Sequence, residues 1–502
     1  MTDITLPDRI TTIEDLLREI PLSEPGKRIL ISFIFDYTPD STEYADFMTV
    51  INSGDSYTYD MSLDPFYIYS IPYLEKKIQE WFTKMEEFND STPDDDDLAL
   101  ADGQSLQCIV DGFGTNQERI SQFLQSIFTA IFTCQRSGGT DIWFSFCGQI
   151  IEGDGTSTIS YSPTEVWMNQ VESLEPDIAV IVNKDIKYFM GQTVNGNARV
   201  NSAWNTSGVG SIQSSSNYVY EMGGYLDRAS CLAVIPVILH EHMRVRSQFK
   251  PIAYDFNGDG IVDGQDLDMQ GSLGIDNLVS NGQLLISLPN TYSKFILLSF
   301  GDIRVRRESE TRADDLSAPI LTYINAAPAI GGFLSILGPK YGFRPVINKS
   351  LKQIDLYEDI DSDQIEVLVN NLIVPLRRTI RNGKVTLGSN RVYYRVPSDY
   401  ISGYDDNNDN LYDMGRINTI ILGNYIRNEL ANRFDGFIGG RRADVIAAAP
   451  TIIANILRNK PLQGYTYDIK YADIDSIELI IIIRMLNGVS EVSSSIIVGN
   501  LS

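Results

Sequence analysis

The residues best placed to do chemistry lie in one acidic loop, 255–266. Asp255, Asn257 and Asp259 alternate along it, Gly260 follows, and then come Ile261, Asp263 and Asp266. Counted from Asp255, oxygen donors fall at positions 1, 3, 5, 9 and 12, with glycine at 6 and an apolar residue at 7. A calcium ion takes roughly six to eight oxygens, and a loop of this kind supplies them by wrapping tightly around it. Alternate side chains give three, the glycine permits the sharp turn, and the Ile261 carbonyl gives another. These residues are candidate ligands of one structural Ca2+. A solvated acidic turn is the plain alternative.

Position 12 carries Asp266 where many calcium loops have a bidentate glutamate. In this respect the loop resembles those of dockerin modules. That resemblance covers the loop alone and implies the ion site, not a dockerin's partner. A weaker echo lies at 405–413, where Asp405, Asn407 and Asp409 alternate. There Asn410 replaces the glycine and Arg416 stands at the place of the last ligand, so a plain loop is the simpler reading.

His240 and His242 are the only histidines. A helical zinc protease needs its histidines at i and i+4 to share a face. Spacing of i, i+2 converges only on a strand, and a partly exposed strand or helix end suits this pair. The nucleophile elbow, the phosphate-cradling lysine loop and the zinc deaminase set do not occur. Gly112 and Gly114 lack the third glycine of a dinucleotide loop. The chain is therefore expected to have no catalytic centre and no organic cofactor.

Acidic residues number 66 against 40 basic, a net charge of −26. Such a surface repels nucleic acid phosphates and anionic membranes, suits solubility at high concentration and attracts cations. Arginines gather at 304, 306 and 307, at 377, 378 and 381, and at 441 and 442. They suit the acidic faces of neighbouring copies and, equally, pairing within the chain. Cys108, Cys134, Cys147 and Cys231 form no CxxC pair and read as buried thiols. The first residues lack the basic and apolar segments of a secretory signal. The apolar runs at 231–239 and 479–483 are far too short for a membrane span. Synthesis and assembly in a cytoplasm are expected.

A length of 502 residues implies several domains. A charged, proline-containing stretch at 89–97 marks the first boundary. It divides an N-terminal α/β region, 1–97, from a central α/β region, 98–315, that carries the calcium loop; a C-terminal region, 316–502, follows. Helical spacing is read at 11–20, 73–88, 116–134, 363–380, 416–434 and 442–459, with Pro450 inside the last. Strands are read at 28–35, 141–151, 177–183, 284–288, 295–300, 465–471, 477–486 and 490–498, with 303–307 continuing the strand at 295–300. A loop is read at 195–217, and a hairpin at 385–396 turns on Gly388, Ser389 and Asn390. The fold class expected is α/β (α+β) and multidomain: mixed sheets flanked by helices, with a C-terminal unit of two helices and β-strands.

The order of elements in that last third carries a resemblance. Asn348, Lys349, Ser350 and Leu351 precede an acidic helix start at 359–366. A helix and short strand pair follow within 364–396, then a helix from Arg416 and Ile417. The phrase Phe437, Ile438, Gly439, Gly440, Arg441, Arg442 leads to a second helix, to Gly464 and Tyr465, and to a strand at 475–483 opening on Asp475, Ser476, Ile477, Glu478, Leu479. This pattern resembles the contractile tail sheath proteins of bacteriophages, although the proline-glycine phrase that usually opens them is missing. The resemblance implies a non-enzymatic virion component. Copies would stack as rings around a tail tube and exchange terminal strands. They would meet tube and baseplate proteins and contract to drive the tube through an envelope. Another calcium-stabilised virion or surface-layer protein is the second reading. A calcium-stabilised carbohydrate-active enzyme is the third.

Overall fold

The computed structural model describes residues 27–34, 57–60, 63–70, 117–148, 150–153, 158–184, 216–237, 291–307, 320–347, 362–379, 383–394, 415–436, 442–473 and 476–485. It also describes short stretches at 72–73, 76–77, 193–194, 197–198, 349–351 and 354–356, and the single residues 186, 189 and 360.

The strands in chain order are Arg28–Ile34 (β1), Tyr57–Asp60 (β2), Leu63–Tyr67 (β3), Asp141–Cys147 (β4), Ile150–Gly153 (β5), Thr158–Tyr161 (β6), Ile178–Ile181 (β7), Thr193–Val194 (β8), Asn197–Ala198 (β9), Leu232–Pro236 (β10), Ile296–Phe300 (β11), Asp302–Arg307 (β12), Ile320–Asn325 (β13), Asp355–Leu356 (β14), Ile373–Arg378 (β15), Val385–Leu387 (β16), Leu462–Asp473 (β17) and Ser476–Met485 (β18). The α-helices are Gln117–Ser137 (α1), Pro163–Leu174 (α2), Ser216–Arg228 (α3), Ala327–Ser335 (α4), Leu337–Tyr341 (α5), Ser362–Asn370 (α6), Ile417–Asp435 (α7) and Arg442–Leu457 (α8).

The centre is an eight-stranded sheet of order β16-β15-β11-β10-β7-β1-β4-β3. Its six inner strands run parallel, and β16 and β3 close the edges antiparallel. The sequences explain the position: β7 and β11 are wholly buried runs of apolar residues and serine, without polar alternation. A parallel strand covered on both faces reads that way. Helices α1 and α4 cover one face, where Gly331 of α4 meets Val180. Helix α2 covers the other and reaches the sheet through Gln170, which accepts from Cys147 at 3.1 Å; α3 packs on α2. The fold is thus a mixed α/β one with parallel and antiparallel pairing, as expected. The sheet takes strands from all three sequence regions, so one core joins them; the boundary positions near 97 and 315 lie outside the described residues.

Local chemistry sets the helix ends. Ser162 accepts from the Glu165 amide at 3.1 Å, while the Glu165 carboxylate accepts from the Ser162 amide at 2.7 Å. This reciprocal cap, with Pro163 in the first turn, starts α2. Helix α4 is buried along its whole length. A Cβ on Gly332 would stand 2.1 Å from the Cys134 carbonyl oxygen of α1, so only glycine allows the two helices to meet.

Five expectations change: the loop read at 195–217 contains β9 and the first residues of α3, and four others follow. The helix read over 363–380 stops at Asn370; Leu372 takes φ 61 and β15 follows. Ile373 and Val374 favour a strand, and Pro375 cannot donate the bond a helix needs. The hairpin's turn is not at 388–390. Strands β15 and β16 form the hairpin, and it turns between Thr379 and Lys384, with Gly383 at φ 64. Gly388 is instead pressed by Pro375, whose Cγ lies 2.8 Å from where a Cβ would be. The strand read over 141–151 divides into β4 and β5, which belong to different sheets. Likewise, 303–307 does not continue β11, because the chain turns at Gly301 (φ 129) into a separate sheet of order β13-β12-β14.

Candidate assembly surface

The C-terminal helices begin inside the molecule and leave it. Ile417, Ile420, Ile421, Leu422 and Ile426 of α7 are buried, whereas the stretch from Ala431 to Arg433 is exposed. The inner end is tied by polar contacts. Asn390 donates to Asn418 at 2.8 Å, and Asn418 donates to the Phe343 carbonyl at 3.3 Å. Arg427 grips the end of α3 through the Asp227 carboxylate at 2.9 Å. Nearby Lys294 is held below the usual lysine range, chiefly by burial, and Asp227 opposes the shift. Helix α8 packs on α7 and carries Pro450 inside it, as read from sequence. Ala449, Ile453, Ile456 and Leu457 are its buried residues.

Strands β17 and β18 follow and form an antiparallel ribbon that bonds to no third strand among the described residues. Tyr465 stands opposite Ile483, Tyr467 opposite Ile481, and Ile469 opposite Leu479. Ile469, Leu479 and Ile481 lean on the core, while Tyr465 and Tyr467 are 39% and 40% exposed. On the other face, Asp468 stands opposite Ile480. The unbroken run Leu479, Ile480, Ile481, Ile482, Ile483 has the composition of a strand covered on both faces, yet Leu479, Ile480 and Ile481 are only half-buried. A two-stranded ribbon is marginal alone, and its outer edges present unpaired main-chain groups to any further strand. The surface therefore offers backbone hydrogen bonds flanked by apolar side chains, the chemistry of strand addition.

The calcium candidates Asp255, Asn257, Asp259, Ile261, Asp263 and Asp266 lie outside the described residues, as do the 405–413 loop, His240, His242 and the strand read at 490–498. Among the described residues no group of acidic, histidine or cysteine side chains is arranged to hold a metal. No described helix is long and apolar enough to cross a membrane. Of the arginine clusters, Arg378 pairs within the chain, with Asp355 at 2.7 Å. Arg381 and Arg441 lie outside the described residues. Cys134, Cys147 and Cys231 are buried free thiols, as expected, and burial pushes all three well above the usual thiol range. Two exposed tyrosines alternating along β17 were legible as a strand but not as a surface. They share a face with Ile469, Leu479 and Ile481, so their exposure depends on how far along that face the core reaches.

No family model matches the chain, and no curated protein matches it. Among solved structures, it is similar to the contracted helical sheath of the anti-feeding prophage. The identity is 9%, the match covers 95% of this chain and 94% of that one, and the TM-score is 0.44. It is also similar to the contracted sheath of an extracellular contractile injection system (PVC), at 8% identity over 75% and 81% of the two chains with a TM-score of 0.43. A sheath tail protein from Desulfitobacterium hafniense is 7% identical over 92% and 98%, with a TM-score of 0.34.

Proposed function

We propose that this chain is the structural subunit of a contractile tail sheath, polymerising around a tube and contracting to drive it through an envelope. The observation that carries the reading is the β17–β18 ribbon. Its β18 run from Leu479 to Ile483 is apolar on both faces, the ribbon pairs with no third strand among the described residues, and it is followed in sequence by the β-rich segment 490–498. A strand from a neighbouring copy would complete it. Main-chain bonds would supply affinity and alternate side chains would set the register. The order of elements from 348 onward, which resembles the sheath pattern, agrees with this. On this reading the subunit works by assembly, needs no catalytic centre, and meets tube and baseplate proteins in a virion or tail-like particle.

The test is electron microscopy and sedimentation of the full chain beside a chain lacking 490–502. The full chain should form tubes or rings. The shortened chain should keep its circular dichroism spectrum and stay unpolymerised. Tubes formed equally well by both would remove strand exchange. Unfolding of the shortened chain would place that segment in its own core.

We also propose that the 255–266 loop holds one Ca2+ through Asp255, Asn257, Asp259, Asp263, Asp266 and the Ile261 carbonyl. The spacing of its oxygen donors supports this. An ion that binds only the folded chain stabilises it by mass action. Calcium should therefore raise the melting temperature and chelator lower it. Replacing Asp255 and Asp259 by alanine should remove that difference. Identical melting curves with and without chelator would refute the site.

A further inference from the structure

The junction between α8 and the ribbon is built around one lysine. Asn459 takes φ 63 after the helix ends. The Lys460 amide donates to the Leu457 carbonyl at 3.2 Å, and the Leu462 amide donates to the Lys460 carbonyl at 2.8 Å. This tight turn delivers the Lys460 side chain back onto the core. Its Nζ lies 4.3 Å from the Tyr425 ring centroid and 4.8 Å from that of Phe343. The two rings are 5.1 Å apart and tilted by 41°. Lys27, at the foot of the central strand β1, places its own Nζ 5.4 Å from the same Phe343 ring.

Phe343 is thus shared between two ammonium groups, one from the sheet and one from the root of the ribbon. It is fully buried, and it holds a left-handed φ of 58, which a phenylalanine adopts only when its surroundings impose it. Cation–π attraction grows as water is excluded from the pair. The ribbon also packs on the core through apolar side chains, Leu462, Ile469, Leu479 and Ile481. Such contacts resist separation but specify direction weakly, because they are non-directional. An ammonium seated over two tilted rings does specify direction.

We propose that Lys460, seated on the Phe343–Tyr425 pair, is a latch that fixes the bearing of the β17–β18 ribbon on the core, and that the ribbon swings as a unit when the latch is open. This goes beyond the sheath reading and holds in an unassembled copy, so its failure is separable from the failure of that reading.

The experiment is a spin–spin distance measurement on the dilute full chain carrying Cys108→Ser. Labels go on Gln135→Cys in α1 and Thr466→Cys in β17, both exposed positions. Buried Cys134, Cys147 and Cys231 stay unlabelled. The parent should give one narrow distance. Lys460→Met keeps an apolar stem of similar reach and removes the charge. It should raise the share of other distances about fivefold, in keeping with the loss of a partly exposed cation–π contact. Lys460→Arg should restore the narrow distance. Arg427→Ala removes an ionic grip on the same helix α7 away from the turn and should leave the distance unchanged. If Lys460→Met does not fold, Tyr425→Leu opens the seat from the other side and should broaden the distance likewise. A parent-like narrow distance in Lys460→Met would overturn the latch, as would equal broadening in Arg427→Ala.

Discussion

Single atoms decide where this molecule tolerates change. Gly332 lets α4 cross α1 because a Cβ there would sit 2.1 Å from the backbone oxygen of Cys134. Backbone cannot swing aside as a side chain can, so Gly332→Ala should cost at least about 1–3 kcal/mol, the range seen for overpacking. A shift of the urea midpoint checks this. The buried thiols set an alkaline limit. They ionise near pH 9.0 when free of the fold, and burial raises them in the folded chain. A folded pKa above the unfolded one gives stability that is whole below the unfolded value and is lost as pH rises toward the folded one. Melting temperature should therefore fall above about pH 9. The limiting loss is about 1.4 kcal/mol per pH unit for each thiol. Cys231→Ala should flatten the decline relative to its own melting point at pH 7, and an equally steep decline would exclude that thiol as a contributor.

At the scale of elements, the ribbon's two faces should separate stability from assembly. Ile481 leans on the core with Leu479 and Ile469, whereas Ile480 stands on the opposite face beside Asp468. Ile481→Thr should lower the melting temperature by removing buried apolar surface, at a cost of about 1–2 kcal/mol. Ile480→Thr should leave melting within about 0.5 kcal/mol of the parent, as surface changes do, and yet reduce tube formation. Light scattering and calorimetry on the two variants test this together. Equal melting losses would mean that both faces belong to the core of a single copy.

For the whole molecule, charge governs encounter. A net charge of −26 makes copies repel one another at long range. Screening shortens that reach from about 30 Å in 0.01 M salt to about 8 Å in 0.15 M. Assembly monitored by turbidity should accelerate over that interval. Slowing over the same interval would mean that attraction between opposite charges, such as arginine clusters meeting acidic faces, controls the approach.

Composition and periodicity by themselves determined the mixed α/β class, the inner strands β1, β4, β7 and β11 (though not β10 or β15), and the C-terminal order of two helices and a β-ribbon. The physical reason is local: a buried parallel strand must be apolar on both faces, as in Ile178–Ile181, and an amphipathic helix such as Gln117–Ser137 must repeat its apolar side. The spacing of oxygen donors in 255–266 is local too, so the ion candidate could be read without coordinates. Tertiary structure decided what local pattern leaves open. Apolar residues at 372–376 fit a helix's period, but Pro375 and a place beside β11 make them a strand. Gly388 looked like a turn residue and is a point of close contact with Pro375. The seat of Lys460 draws on residues 27, 343, 425 and 460, which no spacing relates; only the folding of β1, α7 and the turn after α8 onto one another places two ammonium groups at the same ring.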